Sequence, residues 1–191
     1  MLRHVPNALS IARIVATPVL VLCAVGGNET AFTWVLVPAL LSDIADGLIA
    51  RVFHLQSRLG AFLDSIADVL LLIASGCGVY AFHPEVIEQH WIAGTALIVA
   101  WSLECGLAFV RYGRLSSFHT YLSKVAGYLL GIFVGVLFVF GFHAWLLHLA
   151  VGASVLGNLE EMVLLTLLPE WRTDVRGLPW VLRDRRREVA G

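Results

Sequence analysis

The sequence predicts an all-α integral membrane protein with six transmembrane helices, both termini on the cytoplasmic side and a short interfacial C-terminal segment. Three observations carry that expectation. Of 191 residues, 59% are hydrophobic and only 14% charged, against the roughly 25% charged residues of an ordinary soluble domain, and the mean hydropathy is +0.82. Apolar stretches of about the 20 residues needed to cross ~30 Å of hydrocarbon recur along the whole chain. Positive charge is placed asymmetrically: all 13 Lys and Arg residues lie in or beside the N-terminus, two alternate turns and the C-terminal tail.

Taken in order, the predicted spans are 8–26, 32–53, 59–82, 91–110, 121–141 and 144–168. The first follows the basic start MLRH, but Arg13 interrupts it and no small-x-small cleavage site follows, so it reads as a mature helix rather than a removable signal. Asn7 or Ser10 is placed to cap it, and Arg13 to reach back toward the interface. The turns around 27–30, 83–90 and 141–143 contain no Lys or Arg and carry Glu29, Glu85 and Glu88. By the positive-inside rule both termini are then cytoplasmic, which demands an even number of spans. Spans fill residues 1–170 as one domain, without an internal repeat. Residues 171–191 form a basic tail in which Trp171, Leu178 and Trp180 alternate with arginines, the composition of a segment lying on an anionic inner leaflet. Cys23, Cys77 and Cys105 all fall within spans, without metal-ligand spacing, and read as small packing residues. The net charge of −1 says nothing about partners, and no nucleic-acid partner is expected.

One run departs from this apolar pattern. Residues 43–68, DIADGLIARVFHLQSRLGAFLDSIAD, hold four aspartates in the inner halves of spans 2 and 3. An ionisable side chain in a span costs at least about 2.5–3.5 kcal/mol near the centre, so it is a functional hypothesis by default. Asp43 and Asp46 are three residues apart and Asp64 and Asp68 four apart, which puts each pair along one helix face. Two antiparallel helices joined by a short turn bring both pairs to one depth, roughly 12–15 Å inside the turn at 1.5 Å per residue. Carboxylates so gathered repel one another and require a cation, and an all-oxygen donor set favours a hard ion such as Mg²⁺ or Mn²⁺. Gly47 and Gly60, each four residues from an aspartate, and Ala50 leave a slot walled by backbone, with Arg51 at its mouth able to pair with phosphate. The plainer role of these small residues is close helix packing. A cation pathway or proton relay also uses buried carboxylates.

Asp43-x-x-Asp46-Gly47-x-x-Ala50-Arg51, eight residues, then Gly60-x-x-x-Asp64-x-x-x-Asp68 resembles the signature of the CDP-alcohol phosphotransferases, without a gap. The resemblance implies transfer of a phosphoalcohol group from a CDP-linked donor to an acceptor hydroxyl, with release of CMP. It implies that Asp43, Asp46, Asp64 and Asp68 hold a Mg²⁺ or Mn²⁺ pair, that Gly47, Ala50, Arg51 and Gly60 line the CDP pocket, and that Asp68 is the general base. It also implies a homodimer in a bacterial-type cytoplasmic membrane, with the site facing the cytoplasm. The opening Val5-Pro6-Asn7-Ala8-Leu9-Ser10-x-x-Arg13-x-x-x-x-Pro18 is similar to that of members making phosphatidylglycerol phosphate or cardiolipin.

The donor is then CDP-diacylglycerol, entering sideways from lipid. Glycerol 3-phosphate is the first expectation for the acceptor, and a phosphate there calls for nearby cations: Arg111, Arg114 and Lys124 flank the 4–5 turn and are the candidates. Their plainer role is anchoring to the inner face. Val69 and His119-Thr120-Tyr121 replace lysine-bearing segments of phosphatidylglycerol phosphate synthases, and Leu63-Asp64-Ser65-Ile66-Ala67-Asp68 is similar to phosphatidylserine synthases. Serine, inositol phosphate and phosphatidylglycerol therefore stay open. Glu104, Asn158, Glu160 and Glu161 are further polar residues within spans, without an assigned role.

Overall fold

The computed structural model describes residues 5–52, 58–113, 120–168, 175 and 177–183, with the backbone alone given for 5, 6, 46–52, 58, 59 and 61. The described chain is helical: α1 Val5–Val25, α2 Glu29–Val52, α3 Arg58–Phe82, α4 Pro84–Gln89, α5 Trp91–Tyr112, α6 Tyr121–Phe140 and α7 Ala144–Leu167. Each of the six apolar stretches forms one long helix, and only the six-residue α4 lacks a counterpart in the sequence reading. Asn7 and Ser10 lie inside α1 rather than at its cap, because the helix already runs from Val5.

Among the described residues, five helices contain a segment long and apolar enough to cross a membrane: Asn7–Val25, Phe62–Phe82, Trp91–Tyr112, Tyr121–Phe140 and Ala144–Leu167. The protein is a multi-pass membrane protein. α2, with 24 residues, is about 36 Å long at 1.5 Å per residue. It is not among the five, because only its backbone is described over 46–52 and its fully described stretch, 29–45, is shorter than a crossing. Pro18 and Pro38 sit inside α1 and α2, where neighbouring groups in a membrane helix can re-satisfy the freed carbonyl.

Helix ends follow local chemistry. Gly27 takes φ 68° after α1, and the Asn28 N–H returns to the Cys23 carbonyl at 3.0 Å, so the left-handed residue that closes the helix is the one without a Cβ. Asn28 then opens α2: its Oδ1 accepts the Ala31 N–H at 2.9 Å, as an N-cap does.

The chain divides into two compact units. The first comprises Met1–Gln89 with Leu137–Gly141, and so contains α1 to α4 and the last turn of α6. Within it α1 packs along both α2 and α3, whereas α2 and α3 touch each other far less. The buried residues of α1, Ser10, Arg13, Thr17, Leu20 and Ala24, recur at alternating spacings of three and four, which is one helix face. Ala39, Ala67 and Ala74 let the backbones approach. At one end Phe32 is fully buried against Phe82 and Phe138, with ring centroids 5.5 and 4.8 Å away. Gly78 makes room for it: a Cβ there would come within 2.2 Å of the Phe32 ring.

The second unit comprises His90–Val136 with Phe142–Gly191. Its core joins α5 to α7 through Ala108, Leu164, Leu165 and Leu168, onto which Val175, Leu178 and Val181 of the tail also pack. Gly157 of α7 lies against the Ser123 backbone of α6. In both units large apolar residues such as Leu22, Trp34, Phe62, Trp101 and Phe109 remain exposed, as helices whose outer faces meet lipid require.

Candidate active site

The first unit gathers the charges. Asp43 reaches in from α2, and Asp64 and Asp68 from successive turns of α3. One carboxylate oxygen from each lies within 4.8 Å of the other two. The three are open on one side, with side-chain exposures of 32%, 43% and 52% in that order. On the other side stands Arg13 of α1, 1% exposed. Its Nη1 donates to Asp43 Oδ1 and, at 2.8 Å, to Asp68 Oδ1, and its Nη2 donates to Asp64 Oδ1.

This arrangement follows from the packing. With α1 lying along both other helices, its inner face meets the aspartates where they converge, and Arg13 occupies that face between Ser10 and Thr17. Thr17 Oγ1 donates to the Arg13 carbonyl at 3.1 Å. A guanidinium withdrawn from water is tolerable only when paired and hydrogen-bonded, and three carboxylates from two helices supply that. The expectation that Arg13 reaches back to the interface is therefore corrected. α1 adds a third wall to the site, lying along both α2 and α3.

Three carboxylate oxygens at this spacing, already collected around a cation and open on one side, form a donor set that fits a hard divalent ion. Asp46, Gly47, Ala50 and Arg51 all lie on the helical backbone of α2, Asp46 one turn beyond Asp43. Their side chains fall outside the described residues. Gly60 sits in the first turn of α3, four residues before Asp64, and is half-buried.

The proposed acceptor cations belong to the second unit. Arg111, in the last turn of α5, donates through Nη2 to the carbonyls of Thr166 and Leu168 at 3.3 and 3.2 Å. Tyr112 Oη donates to the Leu168 carbonyl at 2.7 Å. Both thus serve the carbonyls that the end of α7 leaves without helical partners. Lys124 is exposed on the first turn of α6. Arg114 and His119 lie outside the described residues. Glu104 and Glu161 are 5% and 7% exposed, and Glu161 Oε1 accepts the Thr120 N–H at 3.5 Å. Glu160 Oε1 accepts the Leu178 N–H at 2.8 Å and so caps the helical turn at 178–183.

Sequence reasoning missed Arg13 as part of this site. The signal was a cation interrupting an apolar span while a neighbouring run held four aspartates and had its own cations only at its turn.

A family model described as CDP-alcohol phosphatidyltransferase matches residues 3–156. Among curated proteins, the chain is 40% identical over 75 residues to CDP-diacylglycerol--glycerol-3-phosphate 3-phosphatidyltransferase 2 of Arabidopsis thaliana, covering 37% of this chain and 31% of that protein. It is 38% identical over 78 residues to the CDP-diacylglycerol--glycerol-3-phosphate 3-phosphatidyltransferase of Rickettsia felis, covering 39% and 41%. A Mycobacterium tuberculosis protein named "Putative cardiolipin synthase" is 30% identical over 123 residues, covering 60% and 59%. In each case the chain spans less than two thirds of the relative's length. No solved structure matches the chain.

Proposed function

The chain belongs to the CDP-alcohol phosphatidyltransferase family, and from that premise we propose that it transfers the phosphatidyl group of CDP-diacylglycerol to the hydroxyl of glycerol 3-phosphate. The observation that carries this reading is the convergence of Asp43, Asp64 and Asp68 at one open site. In the reaction the acceptor oxygen forms a bond to the phosphorus bearing the diacylglycerol. The bond from that phosphorus to the bridging oxygen breaks, CMP departs, and the acceptor's proton goes to Asp68. Asp68 suits that task because it is the most exposed of the three carboxylates, at 52%, and so the most open to an arriving hydroxyl.

Asp43, Asp46, Asp64 and Asp68 would hold the Mg²⁺ or Mn²⁺ pair, and Gly47, Ala50, Arg51 and Gly60 would line the CDP pocket. A bound pair of divalent cations would neutralise charge on the diphosphate and its leaving group. The protein's own part is to fix the carboxylates at one depth, and to place a base beside the acceptor hydroxyl that attacks in line with the leaving oxygen. In this reading α2 also spans the membrane, making six spans with both termini cytoplasmic, and the chain works as a homodimer in a bacterial-type inner membrane.

A second reading keeps the chemistry and takes phosphatidylglycerol as acceptor. It is favoured by the longer match to the mycobacterial relative and by the engagement of Arg111 with backbone carbonyls, which leaves fewer cations for a phosphate-bearing acceptor. Purified protein supplied with CDP-diacylglycerol, Mg²⁺ and one acceptor at a time decides between them: glycerol 3-phosphate is expected to support CMP release, and release with phosphatidylglycerol alone would establish the second. Absence of CMP release with either of these, serine or inositol phosphate would reject both. Metal flux into proteoliposomes that needs the aspartates and no CDP substrate would instead identify a cation transporter.

A further inference from the structure

The carboxylates that would hold the metal are already in use. Arg13 donates to Oδ1 of Asp43, Asp64 and Asp68, and one oxygen of each of those residues is what brings the three within 4.8 Å. A guanidinium and a divalent ion cannot both sit at the centre of one carboxylate triad. They compete for the same three carboxylates, and as like charges at contact distance they repel. We propose that Arg13 is a built-in competitor for the metal site: it holds the carboxylates of α2 and α3 together, and it leaves them when a divalent cation binds. The inference rests on the metal reading given above.

The geometry supports exchange rather than coexistence. Arg13 reaches the triad from the closed side, with its side chain 1% exposed, whereas the carboxylates are 32–52% exposed on the other. An incoming ion therefore meets carboxylates first and guanidinium behind them. The guanidinium's fork spans carboxylates from two helices, an arrangement that fixes their spacing. The aspartates consequently do not have to be assembled by the metal. Coupling of this kind is reciprocal: whatever Arg13 contributes to holding the triad is subtracted from metal affinity.

The test uses the full chain in detergent micelles and reads binding rather than turnover. Mn²⁺ titration followed by electron paramagnetic resonance is expected to give at least about tenfold tighter binding in Arg13→Gln than in wild type, a difference within the usual range of coupling between sites. Arg13→Gln is purified in excess Mg²⁺ and stripped before titration. On wild type, which needs no substitution, ¹⁵N-arginine labelling follows the Arg13 side-chain N–H resonance, assigned by its absence in Arg13→Lys, and Mg²⁺ is expected to shift it while leaving that of Arg111 in place. An Arg13 resonance that does not move when Mg²⁺ binds would overturn the proposal even if Arg13→Gln binds more tightly, because the arginine would then act through its field alone. Unchanged or weaker Mn²⁺ binding in Arg13→Gln would overturn it too. A wild-type chain binding no Mn²⁺, indistinguishable from Asp68→Asn, would instead remove the metal reading on which the inference stands.

Discussion

Two arginines occupy otherwise apolar helices, Arg13 in α1 and Arg111 in α5, and they meet opposite partners. Arg13 is buried and donates to three carboxylates from two other helices. Arg111 is exposed and donates to two backbone carbonyls at the end of one helix. Carbonyls at a helix end need a donor whatever the protein does, so Arg111 serves the fold. Carboxylates in a membrane span need not be there at all, and each is costly, so an arginine that gathers them marks a site. The partner, rather than the arginine itself, separates chemistry from architecture.

The largest test of that contrast falls on the carboxylates. Asp68→Asn keeps the size of the side chain and its ability to accept from Arg13, but removes the charge and the proton acceptor. CMP release is expected to drop by about 10²–10⁴-fold, the usual contribution of a positioned base, with the helical circular dichroism spectrum unchanged. A variant with ordinary turnover would put the first unit's arginine in the same class as the second's.

Much of this was legible in the residues, for reasons that differ by element. Six long helices follow from apolar runs, since a membrane-length run has one way to satisfy its backbone, and the ends at Gly27 and Asn28 follow from turn chemistry. The aspartates followed from spacing within each helix. Arg13 did not, because periodicity orders the faces of one helix and says nothing of which helix lies between which others. Once α1 is placed along both α2 and α3, Arg13 is on the face that meets the aspartates. Arg111 shows the converse: its position beside a turn invited a role in binding phosphate, and only the end of α7, 55 residues further on, reveals what it holds. The charge-poor turns and the Arg-bearing turns were equally plain in the residues.

If the first unit owes its form to packing as well as to charge, its apolar end should be as demanding as its charged end. Gly78→Ala tests this. The new Cβ would lie within 2.2 Å of the Phe32 ring, which has no free direction, being closed in by Phe82 and Phe138. Overpacking of a filled core typically costs about 1–3 kcal/mol. A lower thermal unfolding midpoint in detergent is expected, and Phe32→Leu combined with Gly78→Ala should recover part of it. If Gly78→Ala is neutral, the Phe32 ring yields to the new methyl group, and this end of the unit is less demanding than its charged end.

The smallest effect belongs to the second unit. Arg111→Ala removes the donor to the carbonyls of Thr166 and Leu168, and Tyr112→Phe the donor to those of Leu165 and Leu168. A single intramolecular hydrogen bond contributes about 1 kcal/mol net, so each loss is small. What matters is the column of the kinetic table in which nothing changes. If Arg111 is architectural, both substitutions lower the unfolding midpoint slightly and by similar amounts, and the KM for the polar acceptor stays where it was, because Tyr112 carries no charge to offer a phosphate. An arginine that also binds acceptor would split the pair: Arg111→Ala would raise KM several-fold at little further cost in stability, while Tyr112→Phe would not. That split would return Arg111 to the acceptor site beside Lys124, and would show that one guanidinium can hold a helix end and still recognise an anion.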